Sequence, residues 1–551
     1  MHKLLRCSAG QFSVRPWRKA VAVFGLTALL DACAVGPDYT PPPAPEDNGY
    51  ATTAVDLSTP NATEARQRLE SGEKISADWW SLFHSKQLDG VLQQAVADNR
   101  SLAAAKATLV QAQELVDQAA GQRLPQLNFA GSSVRQRTNG AGSDIDFKGP
   151  TYNVLSIGPT LSFALDPFGL LSRQVEQQQA LADAQDYQLS AAYLSLTGNA
   201  VTQAINIASI RAQIKAIEDI IAHDETNIKS VETLFNVQEA TQIDVQSAQS
   251  QLATDRTQLP PLYQQLSQTR HALAVLVGKA PGAWTAPDFD LEEFTLPDKL
   301  ALSLPSELVH QRPDILVAEA RLHSASAAIG VATAQLFPNI TLTGGLSQTA
   351  NMAANLFTST ANIWNIAANL SAPIFNGGTL EAQRQAAKAA FEASLHSYEE
   401  TVLEAFEQVA DLLEALTHDA ESVEYQRRAL DSTAASVRLT QRSYAAGEAK
   451  LLEVLDAERL YAQARLGYAR AAAQRFSDTA QLFVAMGGGW QDWRNKDAPP
   501  AFTEVSASVE AKSAGATSAS APPAAAQPVA PAAAEAKPAG PKSSPLTDGE
   551  P

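Results

Sequence analysis

Acidic side chains recur at one repeated position of this chain. In YAAGEAKLLEVLDAERLY (Tyr444–Tyr461), Glu453, Asp456 and Glu458 stand close together, with Arg459 next in line. An earlier copy, FNVQEATQIDVQSAQSQL (Phe235–Leu252), lies about 209 residues upstream. There Asp244-Val245 stands where Glu453-Val454 stands, and Ala248 where Ala457 stands. Carboxylates gathered at a constriction would concentrate cations and repel anions. On a free helix the same residues are only a solvated face. Asp456 and Arg459, three residues apart, can pair on one helical face. The eight histidines are scattered without ligand spacing, so no metal is expected. No Ser/His/Asp set, phosphate loop or catalytic carboxylate pair stands out, so neither an enzyme nor a cofactor is expected.

Each acidic copy reads as the tip of a helical hairpin. No proline interrupts the chain between Pro167 and Pro260, or between Pro373 and Pro499. A helix from about Leu170 to Phe235 would be ~100 Å long, too long for one globular core, so such helices must pack side by side. Pro260-Pro261 should interrupt the returning helix of the first half. Upstream, apolar residues from Leu88 to Arg123 keep helical spacing until Pro125. In the second half Ser306-Glu307-Leu308 begins a helix, Arg312-Pro313 interrupts it and Pro338 ends it. Pro125 and Pro338 are 213 residues apart, as are Asn99 and Arg312, which marks duplication of a whole unit. After each proline comes a strand hairpin. Leu155, Ile157, Leu161, Phe163 and Leu165 alternate with small or polar residues, as do Trp364, Ile366, Ala368 and Leu370. Shorter partners lie at Leu127–Val134 and Ile340–Ser347. Four strands of that length can cross a membrane but cannot close a barrel alone.

The termini have their own chemistry. Five Lys and Arg precede the apolar run Ala20–Leu30, and Leu30-Asp31-Ala32-Cys33 resembles a lipobox, with Asp31 as its departure. We expect a lipoprotein signal peptide over 1–32 with lipid attachment at Cys33; the plain alternative is a secretory signal with an incidental cysteine. The expected organisation continues with an extended tether over 33–76, a first repeat over 77–285 and a linker over 286–305. A second repeat over 306–490 and a disordered Ala/Pro-rich tail over 491–551 complete it. The net charge of −18 argues against a nucleic-acid partner.

The order of these features resembles the TolC-type outer-membrane efflux family, in its lipoprotein, NodT-like branch that serves resistance-nodulation-division pumps. Cys33 with Gly36-Pro37-Asp38-Tyr39, Arg312-Pro313-Asp314-Ile315 with Ala318-Glu319, and Ile329-Gly330-Val331-Ala332 with Phe337-Pro338 carry the resemblance. So do Leu455-Asp456-Ala457-Glu458-Arg459 and Gly487-Gly488-Gly489-Trp490. It implies a mainly α protein with a small transmembrane β part. Three copies would join four strands each into a twelve-stranded β-barrel in the outer membrane. Their helical hairpins would form a trimeric α-barrel tunnel in the periplasm, its tips meeting a periplasmic adaptor and an inner-membrane pump. It further implies a periplasmic gate of Asp244, Tyr444, Leu452, Glu453, Asp456 and Arg459. Ala449 stands where some members carry a gate arginine. The implied role is the outer-membrane channel of a tripartite efflux system exporting small molecules such as drugs. Two other readings stay open: an outlet for type I protein secretion, and a periplasmic coiled-coil scaffold without a pore.

Overall fold

The computed structural model describes residues 34–43, 50, 67–72, 75–139 and 148–497. Cys33, the expected signal peptide and residues 498–551 lie outside them. In chain order the elements are β1 (Arg68–Ser71), α1 (Lys86–Asp98), α2 (Arg100–Gly121), β2 (Gln126–Asn139) and β3 (Lys148–Leu165). The first long hairpin follows: α3 (Leu170–Asn236), α4 (Gln242–Arg256) and α5 (Leu259–Leu276). Then come β4 (Lys299–Leu302), α6 (Pro305–Leu308), α7 (Pro313–Ala334), β5 (Asn339–Ala350) and β6 (Asn362–Ser371). The second long hairpin is α8 (Thr379–Ala445) and α9 (Leu451–Ala485), and α10 (Trp490–Asp497) follows it.

The duplication is visible in three dimensions. Helices α3 and α8 each have 67 residues, about 100 Å at 1.5 Å per residue. Each is entered through a left-handed glycine, Gly169 at φ 77° and Gly378 at φ 86°, where a side chain would be strained. The apolar stretch 88–123 is not one helix: Asn99 breaks it in extended backbone (ψ 128°) and caps α2. The Asn99 side chain accepts from the Leu102 N–H and donates to the Leu276 carbonyl, both at 2.8 Å. Arg312 takes the corresponding extended position before α7 (ψ 122°) without a side-chain cap, because the proline after it disfavours helical backbone. Pro260 and Pro261 lie in the first turn of α5, so the first return leg breaks at Thr257 and Gln258.

Strands β2-β3-β5-β6 form one antiparallel sheet in that order. Its register aligns most of the large apolar residues of the four strands on a single face, with Val134, Val154 and Ile363 on the other. Leu127 opposes Leu161, Phe163 opposes Leu342, Leu165 opposes Ile340, and Ile340 opposes Leu370. The other face carries Asn128, Ser132, Ser156, Thr160, Ser162, Thr341, Thr343, Asn365 and Asn369. The strands run to 14, 18, 12 and 10 residues, so β2 and β5 extend well past the partners at Leu127–Val134 and Ile340–Ser347.

Where the long helices meet α1, an aromatic core joins both repeats. Trp79 stacks on Phe483 (5.6 Å) and Tyr193 on Trp493 (4.1 Å). Trp493 is buried, and α10 spans Trp490–Asp497 within the stretch expected as tail. The segment expected as a free tether is also partly built in. Strand β1 pairs in parallel with β4, and the Tyr50 hydroxyl donates to the Ser303 carbonyl at 2.8 Å. The expected linker 286–305 holds β4 and buries Phe289, Phe294 and Leu300. Helix α7 is long and apolar enough to cross a membrane, yet it packs against α3 and α8, which accounts for its composition.

Candidate functional site at the hairpin tips

Both hairpins turn in the same apolar knot. Val231 of α3, Val245 of α4, and Leu451 and Leu455 of α9 are buried together, with Ala240 and Tyr444 packed against them. The repeat spacing therefore brings the two acidic copies side by side, although 209 residues separate them. Burying four branched side chains at a tip contributes several kcal/mol, at roughly 1.5–3 kcal/mol each.

The acids around the knot differ in their partners. Asp244 closes a capping box: its carboxylate accepts from the Thr241 N–H (2.8 Å) and hydroxyl (2.7 Å), while Thr241 Oγ1 accepts from the Asp244 N–H. Those hydrogen bonds hold the Asp244 carboxyl below its ordinary value. Glu453 and Asp456 lie exposed on α9, and Leu452, also exposed, precedes them. Asp456 accepts from Arg459 at 2.6 Å, so the pair expected from spacing forms within one helix. Tyr444 is half-buried; burial, and then the charge of Asp244, push its phenol up. The structure thus brings Asp244 and Tyr444 into one neighbourhood and sets Leu452, Glu453, Asp456 and Arg459 along the adjoining first turns of α9.

Behind the knot lies a feature the sequence did not disclose. Asp224 and Asp255, on α3 and α4, are both buried. Asp255 accepts from Gln251 and Gln258, each at 2.8 Å. Burial, then a hydrogen bond shared with Asp255, push the Asp224 carboxyl up to about 7. Glu458 faces the same region from α9, raised by burial, and accepts from Gln441 at 2.9 Å. Higher in the second hairpin Asp419 behaves alike beside Asp478, raised to about 7. Among the described residues no three His, Cys, Asp or Glu are grouped to hold a metal ion.

A sheet with one exposed apolar face, carried on two hairpins about 100 Å long, defines a class: β-strand proteins of a membrane with a long helical extension on one side. The family model described as outer membrane efflux protein matches residues 91–279 and again 304–488, one match for each repeat. The chain belongs to the outer membrane efflux protein family, a family of channels. It is 31% identical over 476 residues to the pyoverdine export outer membrane protein OpmQ of Pseudomonas aeruginosa, covering 85% of this chain and 97% of that protein. It is 28% identical to the probable outer membrane lipoprotein SilC of Salmonella typhimurium, covering 86% and 99%. The solved outer-membrane channel OprN superposes with a TM-score of 0.75 at 28% identity, over 83% of this chain and all of that one. This protein is an efflux component of the outer membrane.

Proposed function

We propose that three copies assemble into one exit duct, the outer-membrane channel of a tripartite system that passes small molecules outward. One observation carries the reading: the sheet gathers most of its large apolar residues on one face, and both its edge strands are unpaired among the described residues. Leu127, Phe129, Trp364, Ile366 and Leu370 are all exposed, the first two on β2 and the rest on β6. Backbone groups on an open edge cannot stay unsatisfied in hydrocarbon, so β2 of one copy must meet β6 of the next. Twelve strands then close a barrel. With an adaptor seated on the tips near 234–242 and 443–451, an inner-membrane pump would supply the energy. In the trimer, Glu453 and Asp456 of each copy would ring the narrow end, with Leu452 as its apolar lip. Asp244, Tyr444 and Arg459 would hold the closed form. The relative named for pyoverdine export favours small-molecule cargo over secreted proteins. Gel migration with and without boiling tests the assembly. A heat-labile trimer band is expected; a chain that stays monomeric in detergent and leaves the membrane in alkali would contradict it.

A further inference from the structure

The first described segment, residues 34–43, is strapped along the groove between α3 and α7, and the strap points at an apolar cavity. Five contacts fix its course. Tyr39 stacks on His323 at 4.4 Å. The buried Arg173 binds the Asp38 carboxylate at 2.7 Å and reaches the Val35 carbonyl at 3.3 Å. Gly36, at φ 101°, seats on Gly330 so closely that a Cβ would lie 2.5 Å from the Gly330 Cα. The Val35 N–H donates to the Phe168 carbonyl at 3.1 Å. From His323 to Gly330 the strap climbs α7 by about 10 Å toward the sheet. Ala334, one turn beyond Gly330 on the same face, lines a cavity of about 400 Å³. Phe168, Leu171, Phe337, Pro373 and Leu380 complete its apolar wall, where strands give way to helices. Ala34 packs on Gly169, the residue between Phe168 and Leu170.

We propose that this cavity seats an acyl chain carried by Cys33. The proposal rests on the reading of Leu30–Cys33 as a lipobox. Cys33 lies outside the described residues but is bonded directly to Ala34, which is already docked at the cavity's margin. The cavity lies at the level where the sheet begins, so a chain seated there stays continuous with the lipid around the apolar face. The larger part of the wall suits hydrocarbon; Gln335, Asn339 and Ser371 are polar members of the lining, and its acid is occupied elsewhere: Asp166 accepts from the N–H and the hydroxyl of Ser172, both at 2.8 Å. Arg173 then positions the anchor, because its bonds to Val35 and Asp38 set how far the strap reaches.

The test is photo-crosslinking in intact membranes from cells fed a diazirine-bearing fatty acid, with the wild-type full-length chain. Mass spectrometry of the digest should find peptide pairs joining acylated Cys33 to the segments around Phe168–Leu171, Phe337 or Leu380. Acylated Cys33 whose crosslinks go only to bulk lipid would overturn the cavity assignment while leaving the lipobox intact. A cavity peptide carrying the mass of a phospholipid would show that a free lipid is the occupant and would overturn it too. Unmodified Cys33 would remove the lipobox reading itself, and the proposal with it.

Discussion

The two hairpin tips occupy the same place in the repeat and use their acids differently. In the first tip Thr241 caps α4 and Asp244 answers it, so the carboxylate is satisfied by its own turn. In the second, Lys450 occupies the capping position without a side-chain bond, and Glu453 and Asp456 point to solvent. The return legs diverge too: α4 and α5 are separate helices, whereas α9 runs unbroken for 35 residues. The first tip is thus a self-contained turn, and the second carries exposed charge on an unbroken helix, with Asp456 paired to Arg459 of that same helix. A repeat preserves where an acid stands, not what it does.

That contrast can be broken at its shared base. Leu455→Ala opens a cavity in the knot that both tips need and should cost about 2–4 kcal/mol locally. Hydrogen exchange should rise in both tips together; a rise confined to α9 would mean the tips are independent. Next in size is a pH effect behind the knot. The Asp224 carboxyl is raised in the fold to about 7, so the neutral form is the one the fold favours. Its contribution to stability is full below the ordinary value near 3.8 and is lost as pH rises through about 7. Asp224→Asn should therefore raise the thermal midpoint at pH 8 more than at pH 5, with Asp419 beside Asp478 retaining part of the slope. An unchanged slope would show that the Asp224–Asp255 pair does not titrate in this range. The capping difference itself predicts a smaller asymmetry. Thr241→Ala should cost about 1 kcal/mol, read by urea unfolding, whereas Lys450→Ala should be near neutral. Smallest in stability is Arg459→Ser, within about 0.5 kcal/mol for an exposed pair. Combined with Tyr444→Phe, it should still raise resting conductance, since both residues would hold the closed tips.

Much of this architecture was legible because it is periodic or punctuated. The alternation in β3 and β6, the break at Arg312 and the interruption before Pro260 all follow from local chemistry, whereas the break at Asn99 does not show in the helical spacing of 88–123. What escaped depends on distant partners. The strap from Ala34 to Tyr39 looks like free linker by composition, and only Arg173, His323 and Gly330 hold it in place. Strand β1 is four residues long and finds β4 more than two hundred residues away. Helix α10 is too polar to announce itself, yet Trp493 stacks on Tyr193. Asp224 and Asp255 sit on helices gripped from several sides, where hydrophobic spacing no longer separates buried from exposed positions. At the tips, the residue types and the repeat position were readable. The capping box that removes Asp244 from the exposed set was not, although Thr241 stands three residues before it.

In the duct proposed above, the exposed acids of the second tip would form the selective end. Single-channel recording in planar bilayers tests it most directly, comparing the wild-type chain with the Glu453→Ala/Asp456→Ala variant. The wild type should show low resting conductance, cation selectivity and block by di- or trivalent cations added on the periplasmic side, where carboxylates of three copies can bridge one ion. The double variant should lose most of that block and shift its reversal potential away from cation selectivity. If block and selectivity persist unchanged, Glu453 and Asp456 are only a solvated helix face and the constriction lies elsewhere.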